Sequence, residues 1–233
     1  MLGYNFDMSS YSDIQIINNA LYEAGCDPIS SLTEQTQAAR VASQKYAPTR
    51  DEILSKIDWN FARMEFQMTP TTGFSQIYQY AYQYPADCLA FRYFVNPFML
   101  ASNNSGLMVP GIIYMPNYPY GLSDILTPAI EDVNYQVRPD PTKNFKIVYT
   151  QLQAGVGIYT AQITNPSLFS DLFRAALEAR MSAIFAAGVR QDDNKYVQQM
   201  QIYASKLADA EYASGKEETE DPYMNNPLAD SRN

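Results

Sequence analysis

The sequence predicts an α+β protein: a four-helix bundle built from N- and C-terminal helices, with an inserted small antiparallel β module and an extended C-terminal tail. Apolar residues recur at spacings of three and four near both ends of the chain, which is the period of a helix. Between these ends the period is two, which is that of a strand. We expect bundle helices in 1–66 and 164–215, the β module in 67–163 and an acidic tail in 216–233.

The first helix has a signal at each end. Ser12 followed by Gln15 predicts a capping box, in which each side chain accepts the backbone N–H of the other residue. Gly25 predicts the end of the helix, because glycine enters the left-handed conformation without steric cost. The apolar stripe between these signals comprises Ile14, Ile17, Ala20, Leu21 and Ala24.

A second helix is predicted from about Ser31–Thr33 to about Trp59. Its apolar residues share a face at spacings of three, four and seven. Pro48 lies inside this run, and its ring clashes with the carbonyl four residues back. We therefore expect Pro48 to kink or split the helix.

Strand spacing begins after Gln67. Tyr78, Tyr80, Tyr82 and Tyr84 alternate with glutamine and alanine, which places all four rings on one side of a strand. One interpretation is an aromatic platform on which sugars or bases stack. The interpretation that we favour is a strand with one buried face, in the β module or at a subunit contact.

Three further segments complete the predicted β module. Cys88–Val95 is expected to be a strand, and Phe145–Thr150 is expected to form a hairpin with Val156–Ala161 through a turn around 153–155. The stretch 97–143 holds seven of the fourteen prolines. Because proline is excluded from most strand positions, we expect this stretch to be mostly irregular, with a short strand at Met108–Met115.

The helix predicted over 165–188 is apolar around most of its circumference. Asn165 suits the N-cap and Pro166 the first helical position. A helix this apolar needs partners on several sides, which favours a packing and assembly role over a catalytic one. Its narrow polar stripe comprises Asp171, Arg174, Glu178 and Ser182. A last helix is predicted over Asp192–Ser214, and the tail beyond it is expected to be disordered when alone.

The composition argues against an enzyme. The chain has no histidine, which removes the commonest general base and the commonest zinc ligand. Cys26 and Cys88 lack metal-ligand spacing, so two free thiols are the favoured interpretation and a disulfide is the alternative. Adjacent acids such as Asp51 and Glu52 point in different directions on a helix, which disfavours a glycosidase or metal site. We expect no catalysis, no cofactor and no metal.

Hydropathy and charge bear on location and partners. No window reaches the ~18–20 apolar residues of a membrane span, and the first residues lack the basic and apolar regions of a signal peptide. We expect the protein to stay in a cytoplasm until it joins an assembly. The net charge is −9, with 25 acids and 16 bases. A chain without a basic cluster is a poor clamp for duplex DNA, although it is able to encircle DNA without gripping it.

Three blocks of sequence, taken together, resemble one family. They are Ile17–Leu32, then Tyr46–Ala62 followed by Tyr82–Leu89, and then 163–188 preceded by Ala154–Ala161. In this order they are similar to the tail tubular protein A, or head-to-tail adaptor, family of short-tailed bacteriophages. The resemblance covers about residues 12–95 and 144–215.

The resemblance implies a structural virion protein. Members of the family form a twelve-subunit ring beneath the portal of the capsid, the tail nozzle binds below, and the genome passes through the lumen without sequence-specific binding. Such a protein is assembled in the bacterial host cytoplasm, resides in the neck of the virion and contacts no membrane. The proline-rich stretch 97–143 looks longer and more irregular than the family pattern, which leaves open how the β module meets its neighbours.

Two further expectations depend on this resemblance. The acidic tail, with Tyr212, Tyr223, Met224 and Leu228, is predicted to order on docking against the portal or a neighbouring subunit; a solvated terminus is the alternative. A net-acidic lumen is predicted to repel phosphates and let DNA slide. The alternative function, from a different class, is a carbohydrate-binding or host-recognition module of a phage tail that uses the aromatic β region.

Overall fold

A computed structural model of the protein describes residues 11–95, 134–140, 144–152 and 156–217. Within these ranges lie four α-helices and two small antiparallel three-stranded sheets, which confirms the α+β class. The helices are α1 (Asp13–Ala24), α2 (Gln37–Lys56), α3 (Asp171–Phe185) and α4 (Asp193–Glu217). The strands are β1 (Arg63–Gln67), β2 (Tyr80–Gln83), β3 (Cys88–Val95), β4 (Tyr135–Pro139), β5 (Lys146–Thr150) and β6 (Val156–Ala161).

The chain divides into two compact units. The helical unit combines Met1–Ala62 with Gln162–Asn233, and the β unit is Arg63–Ala161. The β unit therefore begins with strand β1, which starts at Arg63, within the range 1–66 that we predicted to belong to the helical bundle. Arg63–Gln67 carries only two apolar side chains, of which Met64 is exposed, so its strand period is weak in the sequence.

Helix α1 has the predicted boundaries. The Ser12 hydroxyl accepts the N–H of Gln15, and the Gln15 side chain accepts the N–H of Ser12. Gly25 ends the helix in the left-handed region, with φ of 74°. The buried residues of α1 contact α3, which lies far away in the sequence.

Helix α2 begins later than predicted, at Gln37, with Thr36 as the N-cap. The segment before it forms a local turn instead, because the Glu34 carboxylate accepts the backbone N–H groups of Ser30 and Ser31. Of the two expectations for Pro48, a kink or a split, the split is excluded, since Gln37–Lys56 is one helix with Pro48 inside it.

Helix α3 also begins later than predicted. Asn165 caps a single 3₁₀ turn, Pro166–Leu168, and the α-helix starts at Asp171 behind the hydroxyl of Ser170, which accepts the N–H of Phe173. A π-helical turn, Ala186–Arg190, follows α3. Four large side chains of α3 are fully buried and form the centre of the helical unit: Phe173, Leu177, Met181 and Phe185.

Helix α4 packs along α3. The Asp192 carboxylate accepts the N–H of Lys195 and so caps its first turn. The helix continues to Glu217, beyond the predicted end at Ser214. Residues 216 and 217, which were assigned to the tail, therefore belong to the helix.

The two sheets of the β unit have the strand orders β1-β6-β3 and β2-β5-β4, and all pairs are antiparallel. The predicted hairpin of β5 with β6 is wrong, because each of these strands is the centre of a different sheet. Strand β4 was also missed, since it lies within the stretch expected to be irregular. The short strand expected at 108–115 lies outside the described residues.

The core of the β unit lies around the two central strands. Four of the five residues of β5 and five of the six residues of β6 are buried, so both faces of each strand are covered. Aromatic contacts join the sheets: the Tyr135 ring on β4 lies 4.8 Å from that of Phe91 and 5.6 Å from that of Phe94, both on β3.

Candidate interaction surfaces

The polar stripe of α3 faces other parts of the helical unit. The Glu178 carboxylate accepts a hydrogen bond from Asn19 of α1 at 2.8 Å. The Arg174 guanidinium pairs with Asp171 and lies 4.1 Å from the centre of the Tyr11 ring. Ser182, the last member of the stripe, is fully buried. Asp171 is exposed, and Arg174 and Glu178 are half-buried.

Burial raises the pKa of Glu178 above its usual value. The hydrogen bond from Asn19 opposes this shift, the nearby Glu23 adds to it, and the positive charges of Lys206 and Arg174 oppose it. Because Glu178 is half-buried and lies near a second acid, Glu23, the neutral form of its carboxyl group is favoured. Glu178 therefore forms a structural contact between α1 and α3, because its carboxylate already accepts the hydrogen bond from Asn19.

An apolar groove opens at one end of the helical unit, where α3 begins. Its volume is about 210 Å³. Trp59 and Ala210 are buried at its base, whereas the Leu172 side chain at its edge is 41% exposed. The lining residues include no charged side chain; they are Trp59, Asn60, Phe61, Ser170, Leu172, Ala210 and Ala213.

The aromatic cluster beneath the groove holds its walls in place. The Phe173 ring lies 5.1 Å from that of Trp59, 5.3 Å from that of Phe61 and 4.8 Å from that of Phe169, in tilted or edge-on geometries. The Trp59 indole N–H donates to the carbonyl of Ile53 at 3.0 Å. Because edge-to-face ring pairs and a buried hydrogen bond fix these side chains, the groove is preformed.

An apolar loop, residues 68–79, projects from the β unit. Phe74 is 81% exposed and Ile77 is 66% exposed. The Ser75 hydroxyl accepts the N–H groups of Ile77 and Tyr78, and the Gln151 side chain donates to the carbonyl of Ile77. Residues 68–86 contain no charged side chain. The loop therefore presents two large apolar side chains on a backbone that local hydrogen bonds hold.

Gly73 lets this loop approach the second sheet closely. A Cβ atom at this position would lie 2.8 Å from the Tyr149 hydroxyl and 3.1 Å from the Cβ of Ala81. The backbone N–H of Thr71 donates to the carbonyl of Ala81 at 2.9 Å, and that of Gln83 donates to Thr69 at 3.0 Å. The sheet thus fixes the base of the loop, while its tip stays in solvent.

A second groove, of about 290 Å³, lies where α1 ends. The Cys26 thiol lines it and is free. Arg190 donates to the carbonyl of Gly25 at 2.7 Å. Burial raises the pKa of Cys26, and the charge of Arg190 opposes that rise only in part. The thiol is therefore protonated at neutral pH and is a poor nucleophile.

The tyrosine ladder forms one wall of the β-unit core rather than an open platform. Only Tyr80 and Tyr82 lie in strand β2, with ring centres 6.5 Å apart. Tyr82 is buried, and its hydroxyl donates to the carbonyl of Leu152 at 3.0 Å. Tyr84 is buried as well, with the Lys146 ammonium 5.2 Å from its ring centre. Two of the four rings are therefore closed to a stacking ligand.

The four residues predicted to bind a partner are only partly within the structure. Tyr212 lies on the last turns of α4 and is 67% exposed. Tyr223, Met224 and Leu228 lie outside the described residues. The apolar loop was missed by the sequence interpretation, although the long uncharged run 68–86 was a signal that could have found it.

Comparison with known proteins finds no matching family model and no matching curated protein. Within the described ranges no cluster of three or more Cys, Asp or Glu residues is arranged to hold a metal ion. In the same part of the chain, each helix is too short or too polar to cross a membrane.

Proposed function

We propose that this protein is a subunit of a head-to-tail adaptor ring, which joins the portal of a short-tailed bacteriophage to the tail nozzle and forms part of the DNA conduit. In this proposal the four helices form the bundle of each subunit and the β unit is an insertion in it. Twelve subunits make the ring, and the virion neck is its location.

One observation carries the proposal. The helical parts of all three blocks that resemble the adaptor family lie in the helical unit, although the helical part of the second block ends at Ala62 and that of the third begins about a hundred residues later, at Ile163. Trp59 of the second block contacts Phe173 of the third, and Asn19 of the first block donates to Glu178 of the third. Residues that resemble a family in order and also pack together support a shared fold.

The exposed apolar groups support an assembling protein. The groove at Leu172 and the loop at Phe74 each leave large apolar side chains in water. Contiguous exposed apolar surface is typical of interaction sites. The tyrosine ladder, with two of its four rings buried, gives no specific observation in favour of the carbohydrate-binding alternative.

Electron microscopy of the purified protein, alone and after co-expression with the portal protein encoded in the same genome, tests the proposal. We expect twelve-fold rings that bind the portal. Monodisperse monomers that do not bind the portal would contradict it. A glycan-binding screen of the same preparation tests the alternative function.

The predicted tail anchor needs a truncation that spares α4. Removal of residues 218–233 leaves the described helix complete, and we expect the truncated ring to bind the portal less tightly. Portal binding equal to that of the full chain would exclude an anchoring role for Tyr223, Met224 and Leu228.

The proposed acidic lumen has its own test. Isolated rings should show no tight binding to duplex DNA at physiological salt, because an acidic wall releases no counterions from the phosphates. A filter-binding assay with a duplex of random sequence measures this, and nanomolar affinity would contradict the sliding lumen.

A further inference from the structure

We infer that the apolar loop of one subunit docks into the apolar groove of a second copy, with Phe74 as the inserted side chain. This inference rests on the proposed ring-forming function and names the contact through which neighbouring subunits join. It combines two surfaces that lie in different units of the chain.

The size of the groove favours a side chain as its occupant. Its volume of about 210 Å³ lies below the roughly 300–1,000 Å³ of sites for drug-sized ligands. A single large side chain fits a cleft of this size, and the aromatic rings of Trp59 and Phe61 at its wall offer edge or face contacts to an incoming ring.

The charge distribution favours a second copy over other occupants. Two chains of net charge −9 repel each other, so they meet most readily through surfaces without acids. Both the groove lining and residues 68–86 are free of charged side chains. The C-terminal segment is the competing occupant, but it would bring Glu218, Glu220 and Asp221 towards the exposed Asp171.

The loop is prepared for such a contact. Its tip is held by the Ser75 hydroxyl and the Gln151 amide, so little conformational entropy is lost when Phe74 is buried. When a loop of one subunit fits a groove of the next subunit, two different surfaces meet, and the contact is called heterologous. Repetition of such a contact gives a closed ring when the rotation between copies closes, and an open filament when it does not.

Cysteine cross-linking between two variants tests the contact. Gln76→Cys leaves Phe74 intact two residues away, and Leu172→Cys lies at the edge of the groove; both positions are exposed, so neither variant should disturb folding. Mixed under mild oxidation, they should give roughly tenfold more disulfide-linked dimer than Gln76→Cys alone, because docking raises the effective concentration of the two thiols. The wild-type protein measures the background from Cys26 and Cys88. Gln76→Cys mixed with Val197→Cys is the matched control, since Val197, like Leu172, is exposed and apolar.

A variant with a charged side chain at the tip of the loop tests the same contact without cross-linking. Phe74→Asp should shift the sedimenting species from rings to monomers, whereas Tyr22→Asp, at an equally exposed aromatic position, should leave the rings intact. Equal cross-linking with Val197→Cys, or intact rings of Phe74→Asp, would overturn the inference. If the cross-link formed in a variant that lacks residues 218–233 but was lost in the full chain, the C-terminal segment would be identified as the occupant of the groove. That result would also overturn the inference.

Failure of this inference is separable from failure of the proposed function. Intact wild-type rings, together with no cross-link between the Gln76→Cys and Leu172→Cys variants, would overturn the contact and leave the adaptor proposal standing. A specific cross-link in open chains that never close or bind the portal would support the contact and contradict the adaptor.

Discussion

The two units of this protein differ in the sequence separation of the residues that determine their structure. In the helical unit each helix begins behind a side chain that caps it, namely Ser12, Thr36, Ser170 and Asp192, and Gly25 ends α1. In the β unit the strands β5 and β6 follow each other in the chain but lie at the centres of different sheets. Local chemistry therefore defines the elements of one unit, whereas long-range pairing defines those of the other.

The units also differ in what fills their cores. Helix α3 supplies fully buried side chains to the helical unit, and the rings of Trp59, Phe61 and Phe169 surround Phe173. The β unit depends on residues of its central strands, such as Ile147 and Val148. Each unit thus has a core of its own, and substitutions should be felt mainly in the unit that contains them.

The largest effect is expected for Phe173→Ala in the helical unit. Loss of a fully buried ring and the cavity left behind should lower the free energy of unfolding by about 3–5 kcal/mol. Chemical denaturation measures the loss, and hydrogen exchange locates it in the helices. Leu172→Ala, at the exposed neighbouring position, is the control and should change stability by about 0.5 kcal/mol.

Ile147→Ala is the counterpart in the β unit and should cost about 2–4 kcal/mol, because a smaller side chain is removed from a buried site. Hydrogen exchange should show lost protection in β2, β4 and β5. Gln83→Ala, at an exposed position of β2, controls for changes in the sheet that are not due to burial. If Phe173→Ala and Ile147→Ala each lowered protection equally throughout the chain, the contrast between independent cores would be wrong.

Gly25→Ala tests the local signals of the helical unit. Gly25 has φ of 74°, and a Cβ there would lie 2.5 Å from Nη1 of Arg190. We expect a loss of about 1–2 kcal/mol, which is the strain of the left-handed conformation. Gly188→Ala is the matched control: its Cβ would meet Val41 at 3.7 Å, an ordinary contact. That variant should be unchanged or more stable by about 0.5–1 kcal/mol in thermal denaturation.

The smallest effect is expected for Glu178→Gln and depends on pH. Since the pKa of Glu178 is raised on folding, the folded state binds more protons than the unfolded state between the two pKa values. The resulting stabilisation is complete below the unfolded pKa and is lost as pH rises through the folded one. Glutamine should therefore match the wild type in acid and exceed it at pH 7, in melting temperatures measured across that range.

Glu211→Gln is the control for the loss of a negative charge, since Glu211 is exposed. It should leave the melting temperature at pH 7 unchanged. A Glu178→Gln variant that was less stable than the wild type at pH 7 would show that the charge of Glu178 holds α1 against α3, contrary to the expectation.

Elements that are determined by neighbouring residues were predicted correctly from the sequence. The capping box at Ser12, the stop at Gly25 and the strand Cys88–Val95 were predicted from neighbouring residues alone. The two cysteines were also predicted to be free, as they are. Features of this kind depend on spacing within a few residues, which a single sequence contains.

The errors arise where distant or competing interactions decide. The starts of α2 and α3 were placed too early, because Glu34 and Asn165 form local turns that resemble helix starts. The partner of β5 could not be inferred, since β-hairpin pairing is the default for adjacent strands. The groove at Leu172 could not be predicted for a related reason: an apolar helical residue is expected to be buried, and the groove forms between residues distant in sequence, among them Ala210 and Ala213 of α4.

The interrupted helical unit has a consequence for synthesis. Helix α1 leaves the ribosome early, yet its main partner, α3, begins only at Asp171. At about 5–20 residues per second, translation of the intervening chain takes on the order of 10–30 s. During most of that time the β unit is being synthesised, and the apolar stripe of α1 stays uncovered. The nascent chain is thus most exposed to aggregation, or most in need of a chaperone, through the apolar side chains of α1, most of which the finished protein buries.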